Sequence, residues 1–330
     1  MVERRIGHLL DLDRYPEAES VARSLVAAEP DSASALRLLA QALAGQARAT
    51  EALRHAREAN HLDPRDVDVL ITLSDCAWSA REPRLALEAA ERAVDTAPGS
   101  WATHYTLAKM LIQAPGHSAQ GARTAIDTAE RIAPWSADVK NLRGMYLAGL
   151  GDRPGAREAY RRALELEPHH ALALNNLAAL DVHRRPLRSA KLLRSAAALE
   201  PQRELIHENI SVVAWNVVVY SQRILFYGSF VVVVARGFGA PWWLRLAMLA
   251  CMVLGDILWA ATRLRHLPRG YRQSPSSVWQ GFSPRQHRAS VGMTVSALLM
   301  IVVAFAPWAV AGFAWVTMII ARLVLRALND

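Results

Sequence analysis

Proline recurs through the first two hundred residues of the chain at an almost constant spacing. Proline lacks a backbone N–H and clashes with the preceding helical turn, so each one is expected to end a helix. A fixed period of this length predicts a repeat architecture in which each unit packs on its neighbours. The six prolines, which lie 34, 34, 36, 34 and 33 residues apart, are Pro30, Pro64, Pro98, Pro134, Pro168 and Pro201.

Small residues recur in phase with the prolines. Such residues let two helices approach closely, so each unit is predicted to be a helix, a short turn and a second helix that ends before the proline. Twelve residues before the prolines stand Ala18, Ala52, Ala86, Ala122, Ala156 and Ser189. Five residues before them stand Ala59, Ala93, Ala129, Ala163 and Ala196, with the larger Leu25 in the first unit.

The unit from Asn141 to Pro168 is the most regular one, and it resembles the tetratricopeptide repeat (TPR) family. The matching packing positions are Gly144, Leu147, Ala156, Tyr160, Ala163 and Pro168. The resemblance implies an all-α solenoid of about six helix-turn-helix repeats over residues 1–202. In this family the first helices line a concave groove, so the implied function is binding of a protein partner, either a peptide or a helix.

The resemblance also implies which residues face the groove. They are Arg37, Gln41, Ile71, Asp75, Tyr105, Lys109, Asn141 and Asn175, with Trp78 one turn beyond Asp75. Asn141 and Asn175 correspond to part of the carboxylate clamp of chaperone-binding members. Tyr105 replaces the first lysine of that clamp and its later cations are missing, so no clamp is predicted. Two alternatives stay open: the asparagines are ordinary solvated helix surface, and Trp78 packs between repeats.

Catalytic and metal-binding motifs are absent from the sequence. It has no HExxH, CxxC, P-loop or GxSxG motif, and no GxGxxG after a strand. His169 and His170 are interpreted as an exposed turn pair. We therefore predict no enzyme activity, no catalytic or metal-binding residue and no cofactor. Residues 1–205 carry 27 basic and 27 acidic side chains, a balance that argues against nucleic acid as the partner.

The composition changes after residue 205. Residues 206–330 carry 11 basic and three acidic side chains and contain long apolar runs. Each run is close to the ~20 residues that cross a bilayer. The predicted organisation is a cytosolic solenoid (1–202), a capping or linker helix (203–216), a transmembrane hairpin (217–262), a basic loop (263–289) and a second hairpin (290–326). Four spans are predicted, and a three-span arrangement is the alternative because apolar length does not fix helix tilt.

The positive-inside rule predicts the orientation of these spans. Between Arg263 and Arg288 the loop has six arginines and no carboxylate, so it is placed in the cytosol. The start of the chain has no signal-peptide pattern. We therefore predict a multi-pass plasma-membrane protein with a cytoplasmic N-terminal domain. The loop is either a topology determinant alone or a contact for anionic lipid or an acidic protein.

Two local features of this region lead to further predictions. Arg223 and Asp256 fall at similar depth in the first two spans, so they are predicted to form an intramembrane pair. The alternative is that Arg223 snorkels to the interface. In the capping segment, Leu205, Ile206 and Ile210 are predicted to share the apolar side.

The leading functional prediction is a membrane-anchored scaffold or adaptor. It would bind a protein in the groove and localise that protein to the cytoplasmic face of the membrane. The alternative is a regulatory or structural subunit of a transport or enzyme complex, in which the helical bundle with Arg223 and Asp256 is functional. An assembly factor for an envelope or respiratory complex fits the same sequence.

Overall fold

The computed structural model of the chain describes residues 1–113, 119–182, 185–200 and 204–264, with single positions 284, 287, 288, 291 and 295. Every regular element in these residues is an α-helix, which confirms the all-α part of the predicted fold class. The chain forms two compact units, Met1–Pro168 and His169–Asp330. The helices are α1 (Val2–Asp11), α2 (Tyr15–Ala28), α3 (Ala33–Gly45), α4 (Ala49–Leu62), α5 (Val67–Ser79), α6 (Pro83–Thr96), α7 (Trp101–Gln113), α8 (Ala119–Ile132), α9 (Ala137–Gly149), α10 (Arg153–Leu166), α11 (Ala171–Asp181), α12 (Pro186–Leu199), α13 (Glu204–Gly237) and α14 (Trp242–Leu264).

The first unit is an array of five helix pairs, α1–α2 to α9–α10. Each odd-numbered first helix packs on its own second helix and on the neighbouring first helices. Three of the first helices begin at polar caps, because the side chains of Ser32, Asp66 and Ser136 each accept a hydrogen bond from the amide three residues on. Several second helices instead begin with proline in the first turn. Local sequence therefore determines where these helices start.

The same tight turn joins the two helices in four of the pairs. Its central residue has a positive φ angle, at Asp13 (55°), Ala47 (59°), Arg81 (63°) and Gly151 (81°). At the second turn the Arg48 amide donates to the Leu43 carbonyl (3.1 Å), which is the six-residue bond of a Schellman cap. Only one of the four is glycine, the residue that normally marks this conformation. The sequence therefore predicted a short turn at these places but not the left-handed conformation of its central residue.

The small residues lie where paired helices approach most closely. All six residues located twelve positions before the prolines are buried, as their spacing predicted. A Cβ atom on Gly144 would overlap the ring of Tyr160, which is buried against it. At the corresponding place in the third pair the Ser74 hydroxyl donates to the Ala86 carbonyl (2.8 Å). Close backbone approach at these places thus accompanies large buried side chains such as Leu39 and Leu73 elsewhere in the core.

The second unit contains α11–α14. The start of α13 packs on α11 and α12 through Ile206, Ile210 and Val213, all buried. Leu205 is 43% exposed, so its predicted place beside Ile206 and Ile210 is wrong. From residue 204 onward, the predicted linker (203–216) and the predicted first span belong to one uninterrupted helix, α13.

Helices α13 and α14 form an apolar hairpin within the second unit. They meet where Gly228 admits the side chain of Met252, since a Cβ at Gly228 would overlap it. Two helical segments, Leu205–Gly237 and Trp242–Thr262, are long and apolar enough to cross a membrane. The sequence predicted four spans; the third and fourth, in 290–326, lie outside the described residues apart from positions 291 and 295. The basic loop is outside them too, apart from the end of α14 and positions 284, 287 and 288.

Candidate functional surface

Seven of the predicted groove residues lie on three consecutive first helices, α3, α5 and α7, which contact one another in that order. Each is partly exposed, in contrast to the buried core positions on the same helices. We call this set the first-helix surface. Its members are Arg37, Gln41, Ile71, Asp75, Trp78, Tyr105 and Lys109.

Polar bonds connect the first-helix surface from one repeat to the next. The Arg37 guanidinium donates to Gln41 (3.3 Å), whose amide donates to the hydroxyl of Thr72 on α5 (3.2 Å). Further along, the Lys109 ammonium donates to Asp75 across α5 and α7 (2.9 Å). These two side chains keep 29% and 45% of their area exposed, so a ligand could still reach them. The surface is therefore polar, organised and close to charge balance.

Aromatic side chains border this polar line. Trp78 is partly buried against the core formed by the first repeats, which favours the packing alternative for its ring. Tyr105 makes an edge-to-face contact with Trp101, with ring centroids 6.1 Å apart and planes at 72°. Sequence reasoning missed Trp101, although its position four residues before Tyr105 on one helix places both on the same face. The Trp101–Tyr105 pair supplies the rigid apolar part of the surface.

Asn141 and Asn175 are placed differently from the other predicted groove residues. They are 2% and 1% exposed and lie in separate units, so the solvated-surface alternative is wrong for both. Asn175 accepts a hydrogen bond from Asn209 of α13 (2.9 Å), while its own Nδ2 has no partner among the described residues. Neighbouring helices cover these amides, which could not be deduced from position within a single repeat.

A cleft of about 510 Å³ opens at the N-terminal end of this surface, between α1 and α3. It extends the first-helix surface to α1. Charges of both signs line it. The lining residues are Glu3, Arg4, Gly7, Leu10, Asp11, Tyr15, Arg37, Leu38 and Gln41.

The described residues do not bring metal-binding side chains together. No group of three or more His, Cys, Asp or Glu side chains at metal-binding separation occurs among them. Burial raises the pKa of the Cys76 thiol to about 12, so the thiolate nucleophile would be scarce. His170 caps α11, because its Nδ1 accepts from the Ala173 amide (3.2 Å). The arrangement is suited to binding through surface contacts.

The predicted intramembrane pair is not formed in this structure. Gly228 and Met252 set a hairpin register in which Asp256 lies level with residue 224, so the predicted depth match agrees with the register. The Arg223 and Asp256 side chains nevertheless lie on different sides of the α13–α14 hairpin. Asp256 is buried, with Oδ1 lacking a partner among the described residues, whereas Arg223 is exposed and stacks over the Tyr220 ring, 5.9 Å from its centroid. Depth can be counted from sequence, but the contacting face could not be assigned before the helix register was known.

Known families match parts of the chain. A model described as tetratricopeptide repeat matches residues 137–170, and one described as ChAPs (Chs5p-Arf1p-binding proteins) matches residues 6–119. Among curated proteins, none matches significantly.

Solved structures resemble the helical array more extensively. A thermophilic TPR protein of Thermus thermophilus is 22% identical in sequence and superposes with a TM-score of 0.50. The alignment covers 55% of this chain and 99% of that one. A chain of the APC/C hetero-tetramer Cut9–Hcn1 is 16% identical in sequence and superposes with a TM-score of 0.54. The alignment covers 63% of this chain and 41% of that one. At these identities the likeness concerns the fold. The helical array of this chain therefore has the tetratricopeptide-repeat fold.

Proposed function

We propose that this protein is a membrane-anchored TPR scaffold that binds a protein partner and holds it at the cytoplasmic face of the membrane. The observation that carries the proposal is the double role of α13. Its first turns are buried against α11 and α12, and the same helix continues as a long apolar segment that is largely exposed. The proposed anchor helix thus packs directly on the last helix pair.

The polarity of the α13–α14 hairpin supports insertion into a membrane. Only 22% of the most apolar stretch of α13, and 6% of that of α14, is buried. A core helix of a soluble protein would be mostly buried. Here the polar Gln222, Ser229 and Asp256 are buried, whereas Phe230 and Leu254 are exposed. Apolar outer faces around polar inner faces suit a lipid environment.

The first-helix surface supports a protein as the partner. It combines an organised line of donors and acceptors with the Trp101–Tyr105 pair, features that suit an extended peptide or a helix. Scaffold function agrees with the TPR fold.

The rival function, a transport or enzyme-complex subunit with Arg223 and Asp256 acting together, receives no support from their separate faces. We retain the predicted second hairpin in 290–326 and the cytoplasmic basic loop as parts of the proposed anchor. With them, both chain ends would lie on the cytosolic side.

Partner binding can be tested by photocrosslinking of the full chain in cells. p-Benzoylphenylalanine replaces Ile71, which is partly exposed on the first-helix surface, or Glu88, which is exposed on the second helix α6. A protein adduct at Ile71 but not at Glu88 is expected. Adducts at Glu88 alone would move the interface to the second helices.

Membrane topology can be tested at the two ends of α13. Single cysteines replace Phe238 or Glu208, both exposed, after Cys76 and Cys251 are changed to alanine. Phe238 is preferred to Gly239, whose φ of +78° would strain any other residue. An impermeant maleimide should label Phe238→Cys in intact cells and Glu208→Cys only after permeabilisation. The reverse pattern would invert the orientation, and labelling of both only after permeabilisation would show that α13 does not cross.

A further inference from the structure

An aromatic and basic stripe runs along the face of α13 that points away from α14. Tyr220, Arg223 and Tyr227 are spaced by three and four residues, so they share one side of the helix. All three are exposed. The opposite side holds the buried Gln222 and Ser229 and the contact at Gly228. We call the three exposed residues the Arg223 stripe.

Arg223 is a cation on an otherwise apolar exterior. Its guanidinium stacks on Tyr220. None of the ion pairs formed among the described residues includes Arg223. Ile224, Phe230 and Val231 on the outer side of the helix are exposed apolar neighbours. A compensating anion would stabilise a cation at such a position, because an unpaired charge facing hydrocarbon is costly.

The position of Arg223 along α13 indicates where that anion lies. Val217 is the last buried apolar residue before Arg223, which is six residues further on. At 1.5 Å per residue this separation is about 9 Å. Side chains on a helix lean toward its N-terminus, so the long Arg223 side chain extends back toward the end of α13 that packs on α11 and α12. If the apolar segment that ends at Gly237 spans a hydrocarbon core of ~20 residues, the Arg223 backbone lies about five residues inside the core boundary. Its side chain can then reach back toward the phosphate groups at that boundary.

We propose that the Arg223 stripe binds the phosphate of an anionic phospholipid in the leaflet nearest α11 and α12. The planar guanidinium can donate two parallel hydrogen bonds to phosphate oxygens, while stacking on Tyr220 fixes its orientation. The inference rests on the proposed membrane insertion. This site is separate from the basic loop at 263–289, where lipid contact was predicted from composition.

The test uses full-length protein purified in mild detergent and native mass spectrometry with added phosphatidylglycerol or phosphatidylcholine. Arg223→Gln should weaken the tightest phosphatidylglycerol association about tenfold, the scale of a lost charge-assisted hydrogen bond. Arg223→Lys should give an intermediate loss, because it keeps the charge without the fork. Arg236→Gln, at the other end of α13, is the matched control and should bind as the wild type.

Several outcomes would overturn the proposal. These are unchanged phosphatidylglycerol binding by Arg223→Gln, equal retention of phosphatidylcholine, or displacement of the lipid by excess inorganic phosphate, which would indicate a site for free phosphate. Loss of a co-purifying protein with unchanged lipid binding would assign the stripe to a protein partner. Alkaline extraction of native membranes distinguishes failure of the proposed membrane anchor from failure of the proposed lipid site. Release of the chain would reject the proposed anchor, whereas retention with unchanged lipid binding would reject this inference alone.

Discussion

Lys109 and Asp75 occupy the same register in successive first helices, and their side chains meet at 2.9 Å. A second pair between repeats, Arg57 with Glu82, links second helices at 2.5 Å. Both pairs are substantially exposed, so each is expected to contribute under about 1 kcal/mol to stability. The two pairs are therefore expected to contribute similarly to the stability of the fold, but they lie on different surfaces.

This comparison gives a test of the binding surface. Replacing Tyr105 and Lys109 together by alanine should reduce co-purification of the partner by about tenfold or more, on the order of two lost interface contacts. Arg57→Ala, which removes the pair on the second helices, should leave it unchanged. Circular dichroism should show equal helical content in both variants. Equal partner recovery from both would place the interface elsewhere.

Glu19 provides a prediction about pH. Hydrogen bonding by Gln46, and then by Arg23 and Arg48, lowers its pKa from 4.5 to about 2, against a smaller opposing effect of burial. Its ionised form therefore stabilises the folded state fully above pH 4.5, and this contribution is lost as the pH falls toward 2. Glu19→Gln should lower local stability by about 1–2 kcal/mol at about pH 7.

Hydrogen exchange of α2 and α4 amides would measure this effect. The difference between Glu19→Gln and the wild type should shrink between pH 4.5 and pH 2. Glu17→Gln is the control, since the ion pair of Glu17 is with the exposed Arg14 of its own turn. A difference for Glu19→Gln that stays constant across this range would contradict the assigned network.

The turn at Ala47 predicts a stabilising substitution. Its φ of 59° is unfavourable for a residue with a Cβ atom. Ala47→Gly should raise stability by about 0.5–1 kcal/mol, after the greater chain entropy of glycine is counted. Gly151→Ala, at the equivalent turn with φ of 81°, should lower it by about 1 kcal/mol. Denaturant midpoints of the full chain in detergent would show both, and shifts of the same sign would contradict the shared turn geometry.

The packing of α13 on the last pair predicts a large effect at Ile210. Its side chain is fully buried, so Ile210→Ala should cost about 2–4 kcal/mol and increase exchange of α11 and α12 amides. Leu205→Ala should have little effect, because Leu205 is 43% exposed. Equal protection in the two variants would show that the start of α13 does not support this pair.

Arg223 and Asp256 give a prediction of independence. Since their side chains occupy different faces, the effects of Arg223→Leu and Asp256→Leu on membrane accumulation should add in the double variant. The coupling energy should be within about 0.5 kcal/mol of zero. Recovery of accumulation in the double variant, relative to each single change, would instead show that the two side chains meet.

The repeat itself could be predicted from sequence because its signals are local. Prolines end the second helices, and small residues such as Ala52 and Ala86 mark close approach whatever surrounds them. The burial of Asn175 could not be predicted, since a different helix, α13, covers it through Asn209. The left-handed conformation of Ala47 likewise has no signal in its residue type.

The candidate surface, too, could be predicted from sequence only in part. Register along a first helix located Lys109 and Asp75, but their mutual bond depends on the spacing between helices. The α1–α3 cleft was missed because it is formed by two helices from different pairs. Contacts between repeats, rather than properties within a repeat, account for what sequence reasoning left undetermined.

The unbroken course of α13 affects how the protein can be turned over. Proteases preferentially cut exposed, flexible connections. Here α13 remains helical from Glu204 to Gly237, so no extended segment separates its buried turns from its apolar part. Cleavage within α13 would require unfolding of its first turns, which would also expose α11 and α12. We therefore expect no soluble form of the repeats to be released by proteolysis within α13, and α11, α12 and α13 to be degraded together.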